Sequence, residues 1–201
     1  MSIDVAIVMG SASDWDVMSN AQKMLDQFGV NAESRVLSAH RTPKELEEFI
    51  RECEDQKVKA FIAGAGLSAA LPGVVAALTT TPVIGVPLNA GSLDGMDALM
   101  SIVQMPPGIP VGTVAIGKPG AINAALYAVA MMAVNDSDLS EKLKNYRKEQ
   151  AEKVLAESNR NILMIEGGLQ AKELLLRKIE QESQPTGIVE LNQESKSKQS
   201  K

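Results

Sequence analysis

Short apolar runs alternate with segments of helical periodicity from residue 5 to about residue 134, and this alternation constrains the fold more than any other feature. The predicted strands are residues 5–9, 30–37, 58–63, 82–86 and 111–116. Strands that are apolar on both faces and separated by helices indicate a parallel sheet covered on both sides. With right-handed crossovers and five strands, the pattern predicts a doubly wound, three-layer α/β/α fold of the flavodoxin-like order 2-1-3-4-5.

Helices are predicted in the gaps between these strands, at about residues 14–28, 43–56, 71–80, 93–103 and 120–134. Gly29 is expected to end the first helix, and Thr42 is expected to cap the second, which Pro43 begins.

The pattern changes after Asn135 to charged helix, predicted as two helices over about residues 138–157 and 160–184, with Gly167 and Gly168 interrupting the second. Their apolar positions need a surface to cover, for which a neighbouring subunit is one candidate. These positions are Leu139, Leu143, Tyr146, Val154 and Leu155. We therefore expect a catalytic domain over 1–157, an additional C-terminal helix over 158–184, and a disordered polar tail over 185–201.

Composition excludes several classes of protein. Hydrophobic residues make up 45% of the 201-residue chain, enough for one full core. The net charge of −5 provides no basic field for nucleic acid or an anionic membrane. The chain has a single cysteine, Cys53, and it shows neither a signal-peptide pattern nor an apolar run of membrane length. These features predict a soluble, cytoplasmic protein.

The first candidate motif is GSASDW, residues 10–15, directly after the first predicted strand. Backbone N–H groups at a helix N-terminus, together with the hydroxyls of Ser11 and Ser13, suit a phosphate oxygen. The Asp14 carboxylate suits the vicinal hydroxyls of a sugar. The alternative interpretation is that Ser13 or Asp14 only caps the helix.

The second motif is SAHRTP, residues 38–43, after the second strand. The Ser38 hydroxyl, the Arg41 guanidinium and a helix N-terminus form a compact anion site, and it contains His40, the only histidine of the chain. A lone histidine is usually structural, but this one lies in a loop at a strand end instead of on an apolar helix face. Histidine is also the side chain suited to proton transfer near neutral pH.

The third motif is GAGLSAALPG, residues 64–73, after the third strand. Its backbone can approach a flat ligand closely, although tight packing of a helix on the sheet would select small residues equally well. Because strands one, two and three are neighbours in the predicted order, all three motifs should face one crevice at the carboxyl edge of the sheet. The sequence shows neither a closely spaced set of metal ligands nor a Gly-x-Ser-x-Gly nucleophile motif.

These motifs, together with SIVQMPPGIPVGT (residues 101–113) and AIGK (residues 115–118), resemble the bacterial N5-carboxyaminoimidazole ribonucleotide mutases of de novo purine synthesis. The resemblance covers about residues 5–154. It implies a flavodoxin-like subunit of a homo-octamer, with active sites at subunit interfaces and no metal or organic cofactor.

The resemblance also implies a role for each site residue. His40 would be the general acid and base, and Asp14 would bind the ribose hydroxyls. Phosphate and substrate carboxylate would be bound by Ser11, Ser13, Ser38 and Arg41. The imidazole or its carboxylate would lie against the backbone of Gly66, Leu67, Ser68, Ala69 and Ala70.

The chain departs from the usual family pattern at Ala70, where many members have a second histidine. His40 would then carry both proton transfers alone. The departure leaves direct carboxylation of aminoimidazole ribonucleotide with CO2 as an alternative activity. A non-catalytic nucleotide-binding module is the alternative from another class of protein.

Overall fold

The computed structural model describes residues 3–182. Its strands are β1 (Val5–Met9), β2 (Ala32–Val36), β3 (Ala60–Ala65), β4 (Val83–Pro87) and β5 (Gly112–Thr113). Its helices are α1 (Trp15–Phe28), α2 (Pro43–Asp55), α3 (Leu71–Leu78), α4 (Met96–Val103), α5 (Lys118–Met132) and α6 (Ser137–Glu182), and a 3₁₀ turn over Ala12–Asp14 precedes α1.

The five strands form one parallel sheet of order β2-β1-β3-β4-β5, which confirms the predicted doubly wound topology. In the register of the sheet, Met9 at the end of β1 lies opposite Val36 of β2 and Gly64 of β3. The carboxyl ends of these three strands are therefore level. The loops that follow them emerge side by side at one edge of the sheet.

The core lies on both faces of the sheet, as the apolar character of the strands predicts. On β1, Val5, Ile7 and Met9 belong to the cluster that packs under α1 and α5. Ala6 and Val8 point the other way, into the cluster shared with α2, α3 and α4. All five of these side chains are at most 1% exposed. Burial on both sides explains why β1 has no polar residue.

Of the two residues predicted to end or cap helices, one behaves as expected and the other does so only in its position. Gly29 adopts a left-handed conformation (φ 74°) after α1, and its N–H donates to the carbonyls of Leu25 and Asp26. Thr42 is the N-cap residue of α2, as expected, but its side chain does not cap the helix. Instead the Thr42 hydroxyl accepts a hydrogen bond from the Ser38 N–H at 2.8 Å and donates to the Ser38 carbonyl at 3.2 Å.

The last strand and the last helix differ from the prediction. The paired part of β5 is only Gly112 and Thr113, opposite Ile84 and Gly85 of β4. Beyond it, the N–H groups of Val114 and Gly117 still donate to the Gly85 and Pro87 carbonyls, at 3.2 and 2.8 Å. The prediction of two charged helices is wrong, since α6 is continuous from Ser137 to Glu182. Gly167 and Gly168 weaken a helix but lack the ring that makes proline break one, so the helix passes through them.

Two compact units divide the chain, one up to Tyr146 and one from Arg147 onward. Within the first unit, Leu139, Leu143 and Tyr146 of α6 pack on the core of their own chain. In the second unit, Val154 and Leu155 are 65% and 63% exposed. The predicted domain boundary at residue 157 falls inside α6, and the predicted tail over 185–201 lies outside the described residues. No helix within residues 3–182 is long and apolar enough to cross a membrane.

Candidate functional site

A cavity of about 570 Å³ opens at the carboxyl edge of the sheet, between the loops that follow β1, β2 and β3. The sequence predicts that the three motifs meet there, and the structure brings their residues together. Every predicted site residue lines this cavity: Ser11, Ser13, Asp14, Ser38, His40, Arg41, Gly66, Leu67, Ser68 and Ala70.

The first loop is held by a capping box. The Ser11 N–H donates to Asp14 Oδ2 at 2.9 Å, and the Ser13 N–H donates to Ser11 Oγ at 3.4 Å. The two serine hydroxyls are 2.9 Å apart. The predicted capping of the helix by Ser13 or Asp14 is wrong in its residues: Asp14 is the N-cap residue of α1 but its side chain makes no cap hydrogen bond. Ser11 instead caps the preceding 3₁₀ turn, with Asp14 as its capping-box partner. Capping does not conflict with ligand binding, because the same residues face the cavity.

Burial raises the pKa of the Asp14 carboxyl above its ordinary value of 3.8. Hydrogen bonds from the backbone of Ser11 and Gly10, and the positive charge of Arg41, act in the opposite direction but do not cancel the effect of burial. A carboxylate that is partly desolvated and fixed by backbone donors is a good acceptor for ligand hydroxyls, because little solvent competes for it.

The second loop is tied to the first through Arg41. Its Nη2 donates to the Gly10 carbonyl at 2.9 Å, and its Nε lies 3.4 Å from Ser38 Oγ. Ser38 Oγ also accepts from the Arg41 N–H at 3.3 Å. These contacts orient the planar guanidinium beside the cavity. Arg41 is exposed and has further N–H donors, so it can also bind a phosphate or carboxylate.

His40 lies in the same loop, with its side chain exposed at the cavity. Within residues 3–182 its imidazole makes no hydrogen bond or ion pair that would identify it as a structural histidine. The functional interpretation of this residue is therefore favoured by its surroundings. The structure places His40 in the loop between β2 and α2, as the sequence indicates.

The third loop has an unusual backbone. Leu67 and Ala69 have positive φ angles, 54° and 26°, although neither is glycine. The turn is closed by a hydrogen bond from the Ala69 N–H to the Gly66 carbonyl at 3.0 Å. Non-glycine residues in this region are strained, and such strain is concentrated at ligand-binding sites.

Packing accounts for two glycines of this motif, which addresses the alternative left open by the sequence. A Cβ on Gly64 would lie 2.4 Å from Met18 Sδ of α1, and a Cβ on Gly66 would lie 2.6 Å from Ala90 Cβ. Gly64 thus allows a helix to pack on the sheet. Gly66 allows the loop after β3 to lie against the loop after β4, and both loops face the cavity.

Ala90 is the lining residue that sequence reasoning missed. It follows β4, so the rule that ligands bind beyond strand carboxyl ends applies to it as well. Its side chain carries no polar group, and no motif marks it. Ala69 belongs to the predicted segment, and the other additional lining residues, Gly10, Ala39, Ala65 and Leu71, are neighbours of predicted ones.

The cavity combines a guanidinium, several hydroxyls, a fixed carboxylate and an imidazole. No group of three or more His, Cys, Asp or Glu side chains suited to a metal ion is found in the described part of the chain. The fold and the cavity define a flavodoxin-like α/β protein whose cavity lies at the switch point of a parallel sheet, where proteins of this fold bind ligands.

Comparison with known proteins identifies the family. The chain belongs to the AIR carboxylase family, which matches residues 4–153. The N5-carboxyaminoimidazole ribonucleotide mutase of Brucella melitensis is 51% identical over 154 residues, covering 77% of this chain and 95% of that protein. The mutase of Pyrococcus abyssi is 53% identical over 145 residues, covering 72% and 82%.

Solved structures agree with this assignment. The crystal structure of Treponema denticola PurE has a TM-score of 0.71 and 30% sequence identity, and the match covers 78% of this chain and 96% of that one. The predicted family and fold class are both confirmed. Most of the second unit, from about residue 154 onward, lies outside the family match.

Proposed function

We propose that this chain interconverts N5-carboxyaminoimidazole ribonucleotide and 4-carboxy-5-aminoimidazole ribonucleotide in de novo purine biosynthesis. The observation that carries the proposal is the meeting of Asp14, His40 and Arg41 around one cavity, in a chain about half identical to mutases. An acid–base group, a cation and a hydroxyl acceptor are the three functions that a phosphorylated ribonucleotide substrate requires.

Phosphate and substrate carboxylate are assigned to Arg41 and the serine hydroxyls of Ser11, Ser13 and Ser38. The guanidinium forms charge-assisted hydrogen bonds to such anions, and the exposed Ser13 lies at the N-terminal end of α1, where anions are stabilised. Asp14 is assigned to the ribose hydroxyls, since its carboxylate is oriented by the Ser11 N–H.

The loop over residues 66–70 is assigned to the imidazole ring and its carboxylate. Gly66, Leu67, Ser68 and Ala70 line the cavity, and the turn that they form has positive φ angles at Leu67 and Ala69. Flat rings pack well against backbone that carries small side chains.

His40 is assigned both proton transfers. When the carbamate C–N bond breaks, CO2 leaves and the exocyclic nitrogen gains a proton, which the imidazolium donates. When the new bond forms between CO2 and C4, the proton on C4 is lost, and the neutral imidazole accepts it. The proton that His40 gives up in the first step returns to it in the second, so one histidine is sufficient. This suits a site in which Ala70 stands where many family members have a second histidine.

The test supplies purified protein with 4-carboxy-5-aminoimidazole ribonucleotide and follows its ultraviolet absorbance, then repeats the measurement from the N5-carboxy isomer. Interconversion in both directions is expected. Failure to convert either compound would refute the proposal.

One observation favours a second activity, direct carboxylation of aminoimidazole ribonucleotide. Ala70 lines the cavity where many family members have histidine, so the group beside the one-carbon unit differs here. Aminoimidazole ribonucleotide with bicarbonate and without ATP separates the two activities. Carboxylation at a rate above that of the isomerisation would favour the second one.

We also propose a cytoplasmic homo-octamer. Large apolar side chains are exposed on α4 and α5, where a neighbouring subunit would cover them: Met96, Met100, Val103 and Tyr127, each between 48% and 55% exposed. The buried free thiol of Cys53 suits a reducing compartment. Light scattering during gel filtration measures the mass of the assembly, and any mass other than that of eight subunits would contradict the proposal.

A further inference from the structure

The second half of α6 carries no buried side chain among the residues that the structure describes. Every residue from 151 to 180 whose side chain is described is exposed. A solvated helix of this kind is normally polar all round. This one carries large aliphatic side chains that are half or more exposed: Val154, Leu155, Ile162, Met164, Ile165, Leu169, Leu174, Leu175 and Leu176.

Four of these residues repeat at intervals of seven. Leu155, Ile162, Leu169 and Leu176 occupy the same position of consecutive heptads, and they are 63%, 50%, 57% and 50% exposed. If this position is a, position d holds Ser158, Ile165, Lys172 and Ile179. A seven-residue apolar repeat keeps one stripe along a supercoiled helix, which is the pattern of a coiled-coil seam.

We propose that residues 151–180 of α6 form a parallel coiled coil with the same segment of a second copy of this chain. A heptad stripe is self-complementary, because the a side chains of one helix pack into the holes between side chains of an identical helix. The chain itself therefore supplies the partner.

Charge placement favours the parallel orientation. Position e holds Glu152, Asn159, Glu166, Glu173 and Glu180, four of them acidic, whereas position g holds no charged residue: Val154, Asn161, Gly168 and Leu175. In a parallel pair each e position faces a g position of the partner, so the glutamates meet uncharged side chains. In an antiparallel pair e faces e, and the acidic columns would repel each other.

The two polar residues at d are compatible with this arrangement. Ser158 is small, and Lys172 has a stem long enough to place its ammonium outside the seam, on the side of the acidic e column. Polar groups in a seam reduce stability but restrict the register in which identical helices align.

The charge of the segment argues against a membrane surface as its partner. Residues 151–180 contain five Lys and Arg residues and five Asp and Glu residues, so their formal charge is zero. Helices that lie on anionic membranes carry an excess of Lys and Arg on the polar face. The stripe therefore fits another helix better than a lipid headgroup region.

Cysteine cross-linking in the full-length chain tests the pairing. Ser158→Cys and Lys172→Cys place a thiol at two d positions, about 21 Å apart along the helix. Arg160→Cys and Arg177→Cys are the matched controls, at positions f and b away from the seam. The parent chain is a further control, because its one thiol, Cys53, is buried.

After mild oxidation and blocking of free thiols, non-reducing electrophoresis should show disulfide-linked dimers for both d-position variants and not for the controls. Both positions cross-link only if identical residues meet along the whole segment. Cross-linking at one d position alone would overturn the parallel arrangement. Absence at both, or equal cross-linking of the controls, would overturn the pairing.

A second comparison separates the seam from general helix stability. Leu169→Lys places a charge at position a, and Met164→Lys places one at position c, at another exposed apolar site of the same helix. Introduced into Ser158→Cys, the first should abolish the cross-link and the second should leave it. Equal effects of the two substitutions would contradict the proposed seam.

Discussion

Gly66→Ala tests how the cavity is built. Gly66 directly follows β3, and a Cβ there would lie 2.6 Å from Ala90 Cβ and 3.3 Å from the Leu88 carbonyl oxygen. Carbon atoms do not approach within 3.0 Å without displacement. Neither neighbour is the end of a flexible side chain, so the two loops themselves must separate.

The cost follows from this geometry. Inserting an extra methyl group into a well-packed site destabilises by about 1–3 kcal/mol. For a protein of this size each kcal/mol lowers the melting temperature by about 2–4 °C, so we expect a fall of about 2–12 °C. Because both loops line the cavity, kcat/KM should also fall, by up to ~10²-fold for a displacement near 1 Å.

The matched control is Gly10→Ala in the neighbouring loop. A Cβ on Gly10 would meet only Asp14 Oδ2, at 3.9 Å, so the free energy of unfolding should stay within about 0.5 kcal/mol of the parent. Ala90→Gly removes the atom that lies closest to the new methyl group. In the double variant with Gly66→Ala it should recover about 0.5–3 kcal/mol as a favourable coupling energy.

Urea unfolding of the parent, the two single variants and the double variant gives this coupling directly, and calorimetry gives the melting temperatures. Parent-like stability of Gly66→Ala, or no recovery of stability when Ala90→Gly is added to it, would refute the predicted clash. Either result would mean that a methyl group at position 66 does not push the two loops apart.

Three further predictions concern single titratable side chains. His40→Asn should lower kcat by about 10²–10⁴-fold and leave ligand affinity and melting temperature unchanged, because the imidazole is exposed; full activity in the absorbance assay would exclude its acid–base role. Burial raises the pKa of Asp14, so ionising this carboxyl is less favourable in the folded than in the unfolded chain. The free energy of unfolding of the parent therefore falls as the pH rises from 3.8 through the raised pKa. Asp14→Asn should therefore melt no lower than the parent at pH 7 while the KM for substrate rises, and a large fall in melting temperature would contradict this. Burial, and secondarily Glu33 and Glu52, raise the pKa of Cys53 to about 12 from 9.0, so its contribution to stability is complete below pH 9 and is lost as the pH rises toward 12. The urea midpoint should fall more steeply over this range in the parent than in Cys53→Ala, and rapid reaction of the folded thiol with a thiol reagent at pH 8 would argue against such burial.

Much of the site could be predicted because its signals are local. Each of the three motifs directly follows an apolar run, and a strand end is visible in the sequence as the point where that run stops. The parallel topology then places these ends at one edge of the sheet. That is why Ser11, His40 and Gly66, far apart along the chain, could be assigned to one crevice.

Signals at element ends were less reliable where two interactions compete for one group. Thr42 has the residue type and position of a helix cap, yet its hydroxyl binds Ser38 in the loop before the helix. The glycine pair at 167 and 168 suggests an interruption, yet α6 continues through it. A local sequence pattern indicates which interactions a group can form, but it does not indicate which of them forms in the folded chain.

The sequence by itself determined the approximate strand positions, the doubly wound class and the three loops that carry polar side chains, because periodicity and strand ends are properties of neighbouring residues. It did not determine the length of β5, which is shorter than predicted. Only the tertiary structure decided that Ala90 joins the cavity and that Gly66 must lack a side chain to make room for it. It also decided that Arg41 ties the second loop to the Gly10 carbonyl of the first. These features are distances between segments remote in the chain, which packing sets and which no local pattern encodes.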